Sequence, residues 1–346
     1  MTHNGETPAR HFEECGKTLP ERLPTSAASA AELRSGRPPG KGATFIDPAT
    51  LMRIKDLQLR ARIVVEGFLG GLHRSPYHGF SVEFSEYRQY TPGDDLRNLD
   101  WRLFARSDRY YVKRFEDETN LRCHLLVDLS RSMGYGSLGY DKAAYAKTAA
   151  ATLAYFLSMQ RDAVGLVTFD ERIAEQLPAR FRPGHLHRLL LALERALAGT
   201  STELAFPLEQ IARTATKRGL IVLISDLLAP IDALETQLGY LRSRGHEVVV
   251  LRVLDPAEVD FRFEESAVFH DLESGRELYV DPLSARQRYL ERFGEHAAAI
   301  ALACGRLGID LRQVTTDRPI ELALFDFLSS RLRRGRRTLV RPAGRR

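Results

Sequence analysis

Residues 123–132 read Cys-His-Leu-Leu-Val-Asp-Leu-Ser-Arg-Ser, a short apolar run that ends in an acid and two serines at alternate positions. Runs that are apolar throughout are typical of strands covered on both faces of a sheet. Four further strand-like runs follow, at 164–169, 220–224, 248–253 and 309–314. Segments with helical apolar spacing separate them, at 141–158, 186–197, 203–216, 231–243, 284–307 and 320–332. This alternation predicts an α/β fold with a doubly wound, mostly parallel sheet.

The rest of the chain divides around this α/β region by composition. Residues 1–45 are rich in Pro, Gly, Ser and charge, which is typical of disorder. Residues 46–120 are expected to form an N-terminal β-rich subdomain that begins with one helix over 51–67. The α/β domain is then expected over 121–332, with a hairpin inserted near 259–279 and a basic tail at 333–346.

Composition limits the class of protein. The chain has 346 residues, of which 44% are hydrophobic and 27% charged, as in a soluble globular protein. We expect no membrane span, because no run of eighteen apolar residues occurs. The polar N-terminus lacks the apolar core of a signal peptide, and three scattered cysteines indicate no disulfide framework. A cytoplasmic location is the expectation that follows.

The positive charge is concentrated at the C-terminus. Residues 331–346 contain eight arginines and no acid, and without those eight charges the net charge of +5 becomes −3. Such a tail is most often solvated, although it also leaves nucleic-acid binding open as an alternative function. No helix-turn-helix or RNA-binding aromatic pattern accompanies it, so we do not expect nucleic acid as the partner.

Oxygen-bearing side chains follow several of the predicted strands. Asp128, Ser130 and Ser132 follow the first, and Asp226 follows the run at 220–224. Thr202 lies in the loop that opens the helix at 203–216, with Thr200 as a nearby alternative. Ligands of open α/β sheets bind at the carboxyl ends of the strands, and hard cations prefer oxygen ligands. We therefore predict a site for Mg²⁺ or Mn²⁺, with Asp226 acting directly or through a water.

The order of these five residues resembles the metal-ion-dependent adhesion site of von Willebrand A domains. That pattern is DxSxS, then a threonine, then an aspartate, each after a different strand. The resemblance implies a von Willebrand A-like fold and a metal ion that is not catalytic. It also implies a protein partner that supplies a carboxylate to the open position of the ion.

A second resemblance covers the residues upstream. Gly79-Phe80-Ser81-Val82-Glu83-Phe84, the segment 88–97 and Asp100-Trp101-Arg102 are similar to the bacterial family called domain of unknown function 58. Members of that family place such a block before an A-type domain. They are commonly associated with MoxR-type AAA+ ATPases, so the resemblance implies such a partner and a role in the assembly or activation of other proteins.

An enzyme is the main alternative. Residues 134–139 match the GxGxxG fingerprint of nucleotide-binding enzymes, but the first glycine lies seven residues beyond Val127 instead of directly after the strand. The acid that ends the next run, Asp170, also lies too far away. No nucleophile with a base and an orienting group is evident. We therefore expect a binding protein and not an enzyme.

Overall fold

A six-stranded sheet lies at the centre of the fold. The computed structural model describes residues 45–74, 86–89, 111–114, 121–195, 205–215, 217–263, 267–270 and 277–323. Two short strands, β1 (Glu86–Gln89) and β2 (Tyr111–Arg114), form an antiparallel pair. The central sheet follows, with strands β3 (Arg122–Asp128), β4 (Ala163–Phe169), β5 (Ile173–Arg180), β6 (Leu220–Ser225), β7 (Glu247–Leu254) and β10 (Asp310–Thr315). Between β7 and β10 comes an antiparallel hairpin of β8 (Ala267–His270) and β9 (Glu277–Val280).

Helices connect the strands and cover the sheet. They are α1 (Pro48–Met52), α2 (Leu57–Arg74), α3 (Lys142–Met159), α4 (His185–Leu193), α5 (Ala205–Thr214), α6 (Ile231–Ser243), α7 (Pro256–Asp260) and α8 (Pro282–Leu307). A further helical segment begins at Ile320, and its predicted end near 332 lies outside the described residues. Among those residues, no helix combines the length and the apolar character that a membrane crossing requires.

The strand order fixes where a ligand can bind. The order is β10-β7-β6-β3-β4-β5, and every neighbouring pair is parallel except β4 and β5. The chain therefore builds the sheet outward from β3 in one direction and from β6 in the other. In such sheets a crevice opens at the carboxyl ends of the two strands where the order reverses. Here those ends are Asp128 of β3 and Ser225 of β6.

The apolar strands bury side chains on both faces, as their composition predicts. On β3, Leu125 and Val127 pack into one cluster with α1 to α4, whereas Leu126 packs on the opposite face with α5, α6 and α8. Phe68 of α2 meets Phe156 of α3 edge to face, with ring centroids 6.1 Å apart. The helices that precede the first strand therefore share a core with the sheet.

Most predicted elements are confirmed. The differences are the break between α1 and α2, strand β5, and the short helix α7, which overlaps the start of the hairpin region predicted near 259–279. The prediction of a single helix over 51–67 was wrong, because the helix is interrupted at residues 53–56 and two helices form, α1 and α2. Asp56 begins the second helix, since its carboxylate accepts a hydrogen bond from the backbone N–H of Leu59 at 2.8 Å. Strand β5 was not predicted, and it is the antiparallel edge of the sheet. Its residues alternate between exposed and at least half-buried, and it contains Pro178, a residue that sheets accept at an edge.

Candidate metal centre

Asp128 is the central group of the predicted site. It is the last residue of β3 and is completely buried. Its Oδ1 accepts a hydrogen bond from the backbone N–H of Ser130 at 2.9 Å, and its Oδ2 accepts one from the hydroxyl of Ser225 at 2.6 Å. Both of these donors are neutral. The carboxylate is thus oriented by two strand ends, while its charge is not compensated by either of these groups.

Burial makes this carboxyl group hard to ionise. Burial and, to a smaller extent, the negative charge of Asp226 raise the pKa of Asp128 to about 7, although hydrogen bonds from Ser225 and Ser130 oppose this rise. A buried carboxylate without a cation is unfavourable, whereas one beside a bound cation is stabilised. The electrostatics of the site therefore favour a positive ligand next to Asp128.

The two serines of the loop lie side by side. A 3₁₀ turn over Arg131–Gly134 brings the chain back on itself, and the buried Met133 anchors that turn. As a result, Ser130 Oγ and Ser132 Oγ lie 3.1 Å apart. Adjacent oxygen ligands of an octahedral Mg²⁺ lie about 2.9 Å apart, given metal–oxygen distances of about 2.0–2.1 Å. The spacing of these hydroxyls suits neighbouring positions on such an ion.

Asp226 lies at the end of the adjacent strand but already has a cationic partner. Its Oδ2 accepts a hydrogen bond from the ammonium group of Lys142 at 2.9 Å, and its Oδ1 accepts one from the backbone N–H of Leu228 at 3.1 Å. Lys142 also donates to Glu258 Oε1 at 2.6 Å. The side chains of Lys142 and Asp226 are both fully buried. The second acid of the predicted site is therefore one side of a buried ion-pair network.

The charges of this network stabilise the ammonium. Burial alone would lower the pKa of Lys142, but the carboxylates of Asp226 and Glu258 outweigh it and raise the pKa above its ordinary value. For Glu258 burial dominates, and its pKa is raised although Lys142 opposes the effect. Lys142 is accordingly a buried ammonium in contact with the predicted metal ligand Asp226.

Three of these residues were absent from the predicted site: Lys142, Ser225 and Glu258. Ser225 precedes Asp226 at the strand end, so its position in the sequence offered a signal. The other two come together only through the fold, since 116 residues separate Lys142 from Glu258.

Thr202 and its alternative Thr200, which were predicted as ligands, lie outside the described residues. Within the described ranges no three His, Cys, Asp or Glu side chains cluster as metal ligands would.

The glycine loop after the serines is bound to a carboxylate. The backbone N–H and the hydroxyl of Ser137 both donate to Asp255, at 2.9 and 2.6 Å. A Cβ on Gly136 would lie 2.0 Å from the carbonyl oxygen of Tyr140, and Gly139 has a φ of +81°. These glycines permit a tight turn before α3. A nucleotide phosphate at Ser137 would have to displace a negatively charged side chain.

Comparison with known proteins places this architecture in a family. The sequence pattern described as "Protein of unknown function DUF58" matches residues 86–299. The chain belongs to the DUF58 family. This DUF58 protein is 31% identical over 292 residues to uncharacterised proteins of Mycobacterium bovis and Mycobacterium tuberculosis, covering 83% of the chain and 91% of each relative. The family resemblance seen in the sequence is thereby confirmed.

Two solved structures show some likeness to this DUF58 protein. The BatB protein of Bacteroides thetaiotaomicron is 17% identical, with a TM-score of 0.42 over 61% of this chain and 98% of that one. The VWA domain of SpRpn10 is 12% identical, with a TM-score of 0.34 over 58% and 92%. The von Willebrand A-like assignment of the DUF58 chain rests on its own strand order and on the acid and serines at the point where that order reverses.

Proposed function

We propose that this DUF58 protein is a metal-dependent protein-interaction module that binds Mg²⁺ or Mn²⁺ at the end of β3. The observation that carries the proposal is the pair of hydroxyls of Ser130 and Ser132, 3.1 Å apart beside the buried carboxylate of Asp128. Asp128 would hold the ion, directly or through a water, and Ser130 and Ser132 would supply neutral oxygen ligands. Thr202 and Asp226 are the further ligands implied by the A-type resemblance.

The charge of the site favours a partner that brings an acid. Asp128 contributes one negative charge, and that of Asp226 is paired with Lys142. A divalent ion held by one unpaired carboxylate and hydroxyls retains positive charge, which a carboxylate from another protein would neutralise. Metal and partner would therefore raise each other's affinity by the same factor. The bound ion would supply a Lewis-acidic position for that carboxylate, and we propose no catalytic step.

The first experiment measures the metal alone. Isothermal titration of Mn²⁺ into the full chain should give binding that is at least about tenfold weaker in Asp128→Ala. The control is Asp232→Ala, since Asp232 is an exposed acid in the first turn of α6. Circular dichroism establishes that both variants fold. Equal Mn²⁺ affinity in wild type and Asp128→Ala would overturn the site.

The second experiment concerns the partner. We propose a MoxR-type AAA+ ATPase, on the basis of the family resemblance, as the protein that this module serves in assembly or activation. The purified ATPase should be retained by the immobilised full chain in Mg²⁺ and lost in chelator, and Asp128→Ala should behave in Mg²⁺ as wild type does in chelator. Retention that is equal with and without the ion would refute metal-mediated binding.

A further inference from the structure

Lys142 occupies a position that is unfavourable for a cation on two grounds. It is the first residue of α3, where the helix dipole is positive, and its side chain is completely buried. Its contacts with Asp226 and Glu258 compensate for both effects. A buried cation between two acids, one of them a predicted metal ligand, calls for an explanation beyond packing, because apolar side chains fill such positions at lower cost.

We propose that Lys142 is a built-in competitor of the metal ion, which holds Asp226 in the metal-free protein and shifts to Glu258 when the ion binds. This inference rests on the proposed function, since it concerns the regulation of the same site. It assigns Lys142 and Glu258 as positioning residues that set how tightly the site holds its ion. Neither residue would contact the ion itself.

Glu258 is fixed in place to receive the ammonium. It lies in α7, where its Oε2 accepts a hydrogen bond from the backbone N–H of Asp255 in a capping box. Asp255 in turn accepts two hydrogen bonds from Ser137, in the loop that follows the metal-site serines. The contact of Lys142 with Glu258 is also the shorter of its two, at 2.6 Å against 2.9 Å. The ammonium can therefore leave Asp226 without leaving its second acid.

Asp226 gains a free oxygen when this shift occurs. Its Oδ1 remains bound to the backbone N–H of Leu228, whereas its Oδ2 faces Lys142. Releasing Oδ2 makes a second negative charge available at the end of β6, next to Asp128 on β3. The site would thus change from one available carboxylate to two. Metal affinity would be low while Lys142 holds Asp226 and higher once Glu258 holds Lys142.

The test is a set of Mn²⁺ affinities measured on the full chain from the electron paramagnetic resonance signal of free Mn²⁺. Lys142→Met should bind Mn²⁺ about tenfold more tightly than wild type, because Asp226 Oδ2 is then no longer held by the ammonium and is available to the ion. Glu258→Gln should bind more weakly, because Asp226 alone then retains the ammonium. The matched control is Lys147→Met on the same helix, whose ammonium donates to the carbonyl of Arg195 instead. It should bind as wild type does.

A double variant separates competition for Asp226 from a general effect of charge. In an Asp226→Asn background, Lys142→Met should no longer tighten Mn²⁺ binding, whereas a general effect would persist and overturn the proposal. Lys142→Gln, which keeps a neutral donor, is measured beside Lys142→Met in case methionine prevents folding, and it too should bind Mn²⁺ more tightly. Unchanged affinity in both Lys142 variants, with binding still lost in Asp128→Ala, refutes the competitor and leaves the proposed function standing. Absence of Mn²⁺ binding in wild type and in both Lys142 variants refutes the two together.

Discussion

Replacing Asp128 with asparagine removes a negative charge from a fully buried side chain while nearly keeping its size. The pKa of this carboxyl group is raised from 3.8 to about 7, with burial as the largest cause. The folded state therefore loses stability as the pH rises from about 4, and the loss is complete above about 7. At about 1.36 kcal/mol per pKa unit, the ionised carboxylate costs at most about 4 kcal/mol. The amide makes weaker hydrogen bonds with Ser130 and Ser225, which leaves an expected net gain of about 1–3 kcal/mol.

The assay is thermal unfolding in chelator and in Mg²⁺. At pH 8 in chelator, Asp128→Asn should melt at a higher temperature than wild type, and this difference should shrink as the pH is lowered towards 4. Added Mg²⁺ should raise the melting temperature of wild type and leave the variant unchanged, because a ligand stabilises only a state that binds it. A variant that is less stable than wild type at pH 8 in chelator would refute the argument from the buried charge.

Three further perturbations follow from the same contacts. Ser225→Ala should lower the free energy of unfolding by about 2–4 kcal/mol in urea titrations, because it removes the hydroxyl that donates to the Asp128 carboxylate and accepts from the buried N–H of Leu227. Gly136→Ala should destabilise the chain, since its Cβ would lie 2.0 Å from a carbonyl oxygen, whereas Gly294→Ala, with nothing within 4 Å, should be neutral or stabilising by the same measurement. Burial lowers the pKa of His124 to about 4, so the free energy of unfolding should fall as the pH drops from about 6.5 towards 4. The fall should be less than about 3 kcal/mol, because the side chain is partly exposed. In acid titrations, His124→Gln should remove this fall.

Strands buried on both faces were predictable from the sequence, because every position must be apolar to meet the helices above and below. The runs at 123–127 and 220–224 are examples, and both are strands of the central sheet. Strand β5 was not predicted, because it lies at an edge of the sheet and buries only alternate residues. The interruption between α1 and α2 was not predicted for a different reason. Both α1 and α2 bury residues in the same cluster, so the apolar spacing continues across the turn that separates them.

For the site, the sequence was informative at two strand ends, the loop after β3 and Asp226 after β6. Asp128, Ser130 and Ser132 are close in sequence, so their convergence could be expected from a strand end. Lys142 gave no comparable signal, since a lysine at the start of a helix is ordinarily exposed. It is buried because the fold brings Asp226, after β6, and Glu258, in α7, into contact with it. The strand-end residues of the site were therefore predictable, and the buried contacts of Lys142 with Asp226 and Glu258 were not.

The hydrogen bond between Asp128 and Ser225 joins residues 97 positions apart in the chain. Parallel neighbours such as β3 and β6 pair only after a long intervening segment has closed, which is a slow and entropically costly event in folding. The proposed cation site would be completed by that pairing, so a nascent or partly folded chain would not present it whole. A partner that requires the bound ion would for this reason bind only fully folded molecules. Binding of that partner would then also distinguish folded from incompletely folded chains.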